Sequence, residues 1–431
     1  MKNRNYVGAG ASALIAIIAL VATTGLAIAR SGATPLPASS CSAIQNAGGN
    51  LLIASDLPLQ GSGRTQTSQM TRATKFIFTQ HGWKAGKYSI AYQSCDDSTA
   101  QAGKWDSGKA SANANAYAQN SSVVGVIGTF NSGAAEIEIP ILNRAPNGPI
   151  AMVSPANTYV GLTHGGPGTA AGEPGKYYPT GKRNYARVVA ADDYQGAADA
   201  ILAKSVGVKK VFILNDKEAY GLGVATNFKN AAVKLGVKVV GFTAWDGKAS
   251  SYEALAVKIK ASGAQGVFVG GLICENGGKV VKDIAAGAPG VKILMPDGFT
   301  PISATVQQAG AASEGAFVSV AGLPNASLKG AGAAFVKNFT KADKKAPDPY
   351  SVYAAQAAEA IVGAIAQSNG TRADVAKQLF KIHLKNSILG NLSFNANGDV
   401  TANPVTIYKI KGGKSTTYKV IVPPNSLVKS A

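Results

Sequence analysis

Reactive side chains are scarce in this chain of 431 residues, which holds three cysteines and three histidines. No two cysteines form a CxxC pair, and His81, His164 and His383 are far apart in sequence. That leaves no zinc-type ligand set. There is no G-x-S-x-G elbow and no Gly-Lys-Ser/Thr in phosphate-loop spacing. Glu136 and Glu138 lie two apart on one expected helix and so face different ways, which rules them out as an acid–base pair. No catalytic centre, cofactor or metal site is therefore expected. Acid is also short, with 23 Asp and Glu against 42 Lys and Arg, a net charge of +19. Such an excess can mark nucleic-acid binding. Here, however, the lysines are scattered, as in Lys204, Lys209, Lys210, Lys217 and Lys229, with no arginine-rich arm and no RNP-like aromatic motif. The pattern reads as a solvated basic surface facing an anionic envelope, with no nucleic-acid partner.

The first 29 residues read as a targeting segment. Lys2 and Arg4 precede an apolar run from Ala11 to Ala29, and Ala27-Ile28-Ala29 offers small residues for cleavage. The run is long enough that retention as an anchor is the alternative. Lipid attachment at Cys41 is a third route, for which Ala38-Ser39-Ser40 is a poor context. Export to the periplasm or the outer face of the membrane is expected in each case. Residues 30–49, rich in Ser, Ala, Pro and Gly, read as a linker. With Cys41, Cys95 and Cys274, at most one intrachain disulfide can form. Cys41 with Cys95 is the preferred pair, because both flank early strands of one domain, and three unpaired thiols is the alternative.

From residue 50 onward, short apolar runs alternate with helical stretches, which predicts parallel sheets with helices on both faces. The informative segment is Val123 to Thr163. VVGVIGT and PIAMVS read as buried strands, and AAEIEIPILNRA between them as a helix. The first strand ends at Phe130-Asn131-Ser132-Gly133, the second at Pro155-Ala156-Asn157-Thr158. Ligands bind parallel sheets at such carboxyl ends, beside helix N-termini. Ser132 and Thr158 are therefore candidate carboxylate ligands, although each residue type also caps helices routinely. After the Gly/Pro-rich stretch 165–184, a second alternation begins. Its strand ends carry Tyr220, expected on a loop from Asp216 to Gly221, then Leu272 and Cys274 among glycines, and Asp297 after ILMP. The fold class is thus α/β, with two doubly wound lobes whose strand ends face each other across a cleft.

The ordered motifs ASDLPLQG from Ala54, YQSCDD from Tyr92, VIGTFNSGAA from Val126, VSPANTYVGLT from Val153, NDKEAYGLG from Asn215, GGLICENGG from Gly270 and PDGF from Pro296 resemble the leucine/isoleucine/valine-binding proteins of branched-chain amino acid ABC transporters. These are type I periplasmic binding proteins. The resemblance implies two lobes joined by three crossings, near Val189, Val318 and Leu392. Lobe 1 would hold residues 50–188 and 319–391, and lobe 2 residues 189–318 and 392–431. It implies that Ser132 and Thr158 bind an amino acid carboxylate and that the Ala156 carbonyl accepts from the ammonium. It further implies that Tyr220 closes over the ligand, that Asp297 pairs with the ammonium, and that Phe130 lines the side-chain pocket. Asn157, between Ala156 and Thr158, joins the candidate set, as does Leu272, which stands where well-known members carry a second tyrosine. Asp297 is one methylene shorter than the usual glutamate. Asn131 and Ala134 replace cysteines of relatives, so the family disulfide lacks its usual partner for Cys95. The implied partners are a free amino acid and an ABC permease, with the protein a monomer. An amide, urea, a small carboxylate or an aromatic acid is the alternative ligand on the same fold. A membrane-tethered sensor or adhesion module is the alternative class.

Overall fold

The computed structural model describes residues 32–428, so the expected targeting segment lies outside the described residues. In the first half, strands β1 (Leu51–Leu57), β2 (Lys84–Ala85), β3 (Tyr88–Asp96), β6 (Val123–Gly128), β7 (Ala151–Ser154) and β8 (Tyr185–Arg187) form one sheet in the order β2-β3-β1-β6-β7-β8. A small hairpin, β4 (Ser98–Thr99) with β5 (Lys104–Trp105), interrupts it. All contacts from β3 to β8 are parallel. Helices α1 (Arg64–Gln80), α2 (Ser107–Gln119) and α3 (Ser132–Asn143) connect these strands. β6 and β7 are buried along their whole length, as apolar runs covered on both faces should be.

The second sheet runs β10-β9-β11-β12-β13-β16-β17. Its strands are β9 (Lys210–Asn215), β10 (Lys238–Ala244), β11 (Gly266–Gly270), β12 (Lys292–Met295), β13 (Phe317–Val320), β16 (Val405–Lys411) and β17 (Lys414–Ile421). Helices α4 (Asp192–Ser205), α5 (Ala219–Lys234), α6 (Glu253–Ala261), α7 (Gly278–Gly287) and α8 (Ile302–Ala309) belong with it. Between β13 and β16 the chain returns to the first lobe as α9 (Ala331–Asp343), α10 (Pro349–Gln367) and α11 (Arg372–Leu379), followed by the hairpin β14 (Leu384–Ser387) and β15 (Gly390–Leu392). α10 is nearly all small and apolar, PYSVYAAQAAEAIVGAIAQ, and packs into the same core as β1, β6 and α1. The result is two lobes joined by three crossings.

Three expectations move. Residues 32–49 are packed rather than a free linker. Gln45 exchanges backbone hydrogen bonds with Tyr92 on β3, Leu36 N donates to Gln93 Oε1 at 2.7 Å, and Cys41 is bonded to Cys95. The disulfide therefore staples this segment to the first sheet, and Cys274 is left unpaired. Second, β13 continues in the second sheet to Val320, two residues past the expected crossing, because it pairs with β16 through Val320. Third, the segment after Leu392 stays on the first lobe. Arg187 N donates to Gly398 O at 2.9 Å, and Phe394 pairs with Val400, so the last crossing follows Val400. The β4–β5 hairpin occupies the chain ahead of α2, which starts at Ser107.

A buried ion pair ties the crossings together. Arg187, fully buried at the end of β8, donates through Nε to Asp399 Oδ1 at 2.8 Å and through Nη1 to the carbonyls of Asn157 and Tyr159 at 3.2 and 2.8 Å. It thereby holds the backbone on either side of Thr158. Replacing one partner of such a pair leaves an uncompensated buried charge. Arg187→Leu is expected to lower stability by about 3–5 kcal/mol, read from urea unfolding.

Candidate functional site

The carboxyl ends of β6, β7, β9, β11 and β12 meet at one cavity between the lobes. Phe130, Asn131, Ser132 and Ala156 line it from the first lobe, and Tyr220, Leu272, Asp297 and Gly298 from the second. Six of the eight expected site residues are thus brought together. Asn157 is not among them. Its side chain is fully buried, donating through Nδ2 to Phe130 O at 3.0 Å and accepting from Tyr185 OH at 3.1 Å. It ties the two strand-end loops to each other instead of facing a solute. Thr158 also lies outside the lining. It is 1% exposed, and its hydroxyl has no hydrogen-bond partner among the described residues.

The first-lobe surface is set by short polar contacts. Ser154 Oγ accepts from the N–H groups of Ala156 and Asn157 at 3.1 and 2.8 Å and donates to Thr129 O at 2.9 Å. This folds the turn after β7 so that the Ala156 carbonyl remains available. Ser132 opens α3, and its Oγ accepts from Tyr159 N at 3.4 Å. Its own proton is left to donate into the cavity.

On the second lobe, Tyr220 lies in the first turn of α5 rather than on a loop, because the helix starts at Ala219. Its hydroxyl donates to Asp297 Oδ1 and accepts from Gly298 N at 2.9 Å. Gly298 has no room for a side chain, since a Cβ there would stand 2.2 Å from Gly271 O. The second oxygen of Asp297 accepts from Tyr350 OH. Tyr350, in the first turn of α10, lines the cavity from the first lobe. It escaped the sequence reading because an aromatic at the start of an apolar helix looks like any core residue.

Asp192, at the start of α4, was also missed. It is fully buried, and neither carboxyl oxygen has a hydrogen-bond partner among the described residues. Burial and then the Asp297 charge hold its carboxyl well above the usual range, and the nearby Thr158 hydroxyl and the Arg187 charge only partly offset them. Burial likewise raises Asp297, against the hydrogen bonds from Tyr220 and Tyr350. The charges of these two buried acids thus act on each other, which favours a cationic group arriving beside Asp297. The hydroxyls of Ser132 and Thr158 suit an anionic end. The free volume there is about 20 Å³, close to the room one water needs, too little for an amino-acid-sized solute in this arrangement. At the cleft rim Lys104, on β5, donates to Glu218 at 3.2 Å and to Glu275, joining the lobes.

Titration gives a signed expectation. Burial and the Glu218 charge push Asp216 from 3.8 to about 8. A carboxyl raised on folding stabilises the native state below its unfolded pKa, and that contribution is lost as pH rises through the folded value. For His164 burial opposes protonation, but Asp193 and Asp399 outweigh it and raise the ring from 6.5 to about 9, which acts in the same direction. The melting temperature of the ligand-free protein should therefore fall steadily from pH 5 to pH 9, measured by calorimetry.

Residues 53–415 match the family model described as periplasmic binding protein. The Leu/Ile/Val-binding protein homolog 2 of Brucella abortus (strain 2308) is 26% identical over 295 residues, which is 68% of this chain and 73% of that protein. The leucine binding protein LivK from Thermotoga maritima superposes with a TM-score of 0.74 at 20% identity, covering 86% of this chain and 99% of that one. An ABC-transporter solute binding protein from R. palustris, in complex with benzoate, gives 0.70 at 22% identity, covering 87% and 97%. The chain belongs to the periplasmic binding protein family, whose members bind solutes rather than catalyse reactions, and it shares the fold of these solute-binding proteins.

Proposed function

We propose that the interlobe cleft captures a free amino acid as a zwitterion, with an apolar side chain, and presents it to an ABC importer in the membrane. The observation that carries this is Asp297, a fully buried carboxyl that lines the cavity with hydroxyl donors but, among the described residues, no cation on it, and whose charge also reaches the buried Asp192. An α-ammonium supplies that charge and can also donate to the Ala156 carbonyl. The carboxylate then falls to the Ser132 hydroxyl, which lines the cavity, so both ends of one small molecule are matched. Phe130, Tyr220 and Leu272 offer apolar surface to the side chain. The names of relatives, Leu/Ile/Val-binding and leucine binding, fit this choice.

Docking would start on the first lobe, whose loops Arg187 and Ser154 hold in place. Hinge closure would then bring Tyr220 and Asp297 onto the ligand, with Lys104 sealing the rim. The closed form is the state a permease would read, and capture of this kind belongs on the exported side of the membrane.

A second reading keeps the cleft and changes the ligand to an aromatic acid. The benzoate complex of the R. palustris relative favours it, as does the edge-on pair of Phe130 and Tyr350, with ring centroids 6.0 Å apart. Such a ligand brings no cation to the buried Asp297, which is costly at this burial.

Mass spectrometry of co-purified ligand, with a thermal-shift panel of amino acids and benzoates, separates the two. Leucine, isoleucine or valine should raise the melting temperature, and Asp297→Ala should weaken that amino acid by about 10- to 100-fold, the loss of a hydrogen-bonded charge. Stabilisation by benzoates alone would overturn the amino acid assignment.

A further inference from the structure

Away from the cleft, three acids meet inside the first lobe. Asp56 closes β1, Asp97 follows β3, and Glu138 lies midway along α3. They are separated by 41 residues or more in sequence, so packing alone unites them. All three are 0% exposed. One carboxylate oxygen from each lies within 4.8 Å of the other two. Asp56 Oδ2, both oxygens of Asp97 and both oxygens of Glu138 have no hydrogen-bond partner among the described residues.

The neighbouring acid shows that this is not general crowding. Asp96 takes the loop's donors: Oδ1 accepts from Leu59 N and Ser98 N, both at 2.9 Å, and Oδ2 accepts from Gln60 Nε2 at 2.9 Å. Asp97 is turned inward, away from every such donor. Of the three acids, Asn113 Nδ2 serves Asp56 alone, at Oδ1 and 3.0 Å, and it also donates to Asp96 O at 3.0 Å. A separate group points the same way. Tyr117, on α2, is 0% exposed, and its hydroxyl, directed at Asp56, is within hydrogen-bond distance of no partner among the described residues. That hydroxyl is close enough to feel the charges of Asp56, Glu138 and Asp97. It adds a fourth oxygen-bearing side chain to the cluster.

We propose that Asp56, Asp97 and Glu138, with the Tyr117 hydroxyl, bind one calcium ion in the interior of the first lobe. A proton shared between Asp56 and Glu138 would satisfy those two and still leave both Asp97 oxygens without a donor. One cation serves all three. The donor set is oxygen alone, which suits a hard cation and not zinc or copper. Calcium takes oxygens at about 2.3–2.6 Å in flexible geometry, so ligands spread over 4.8 Å fit around one ion. Magnesium demands about 2.0–2.1 Å and keeps several waters, which a dry, all-protein cage does not accommodate. The site would brace β1, the β3–β4 turn, α2 and α3 beneath the loop that carries Ser132, separately from solute capture.

The test uses the purified protein with calcium, magnesium, EDTA and terbium as probes. Elemental analysis after gel filtration should find about one calcium per chain. EDTA should lower the melting temperature by about 5 °C, the scale of a ligand held well above its Kd, and calcium but not magnesium should restore it. Terbium in place of calcium should emit when Tyr117 is excited, and Tyr117→Phe, which keeps the ring packing, should lose most of that emission. Asp97→Asn should remove the response to EDTA, and the terbium measurement stands even if that variant does not fold. No bound calcium after saturation, equal rescue by magnesium, or terbium emission unchanged in Tyr117→Phe would each overturn the assignment.

Discussion

A carboxylate taken out of water needs a positive partner or a proton, and this constraint runs through the whole molecule. Asp399 has its partner in Arg187 and is held well below the usual carboxylate range. Asp192, Asp297, Asp56, Asp97 and Glu138 do not, and burial raises each of them. In a chain with so few acids, burying these is a large concession of stability. Such concessions collect where a site awaits charge from outside. One group faces the cleft between the lobes, and the other is sealed inside one lobe.

The satisfied pair positions the unsatisfied one. Arg187 binds Asp399 from the last crossing and the carbonyls on both sides of Thr158. The strand-end loop, the hinge and the start of α4 are therefore fixed around one guanidinium, whose planar fork meets several acceptors at once. Asp192 begins α4 next to it. Arg187 thus anchors both the last crossing and the strand-end loop beside Thr158. Across the cleft, Asp297 accepts from Tyr220 of its own lobe and Tyr350 of the other. These contacts are made in the closed arrangement, and an ammonium arriving there competes with hydroxyl donors already in place.

Much of this was legible in the chain. Parallel strands buried on both faces are written as apolar runs, and their ends as small polar residues, so VVGVIG and AMVS stood out with Ser132 and Thr158 after them. Tyr220, Leu272 and Asp297 follow strands in the same way. What was not legible came from sequence distance. Tyr350 reaches the cavity on a helix that returns from the second lobe, and Asp192 sits at a crossing with no motif around it. Residues 32–49 looked like a linker because their contacts are to β3, some 40 residues on. Asn157 looked like a ligand residue because it lies between two others, yet its amide faces the protein interior. Asp56, Asp97 and Glu138 gave no pattern, since oxygen ligands need no fixed spacing.

The central claim is that the cleft is built for an ammonium. Calorimetry comparing the best-bound amino acid with its deaminated carboxylic acid, identical in side chain and carboxylate, tests it most directly. The deaminated compound should bind at least about 100-fold more weakly, because Asp192 and Asp297 would be buried again without their cation. Equal or tighter binding of the deaminated acid would contradict the account.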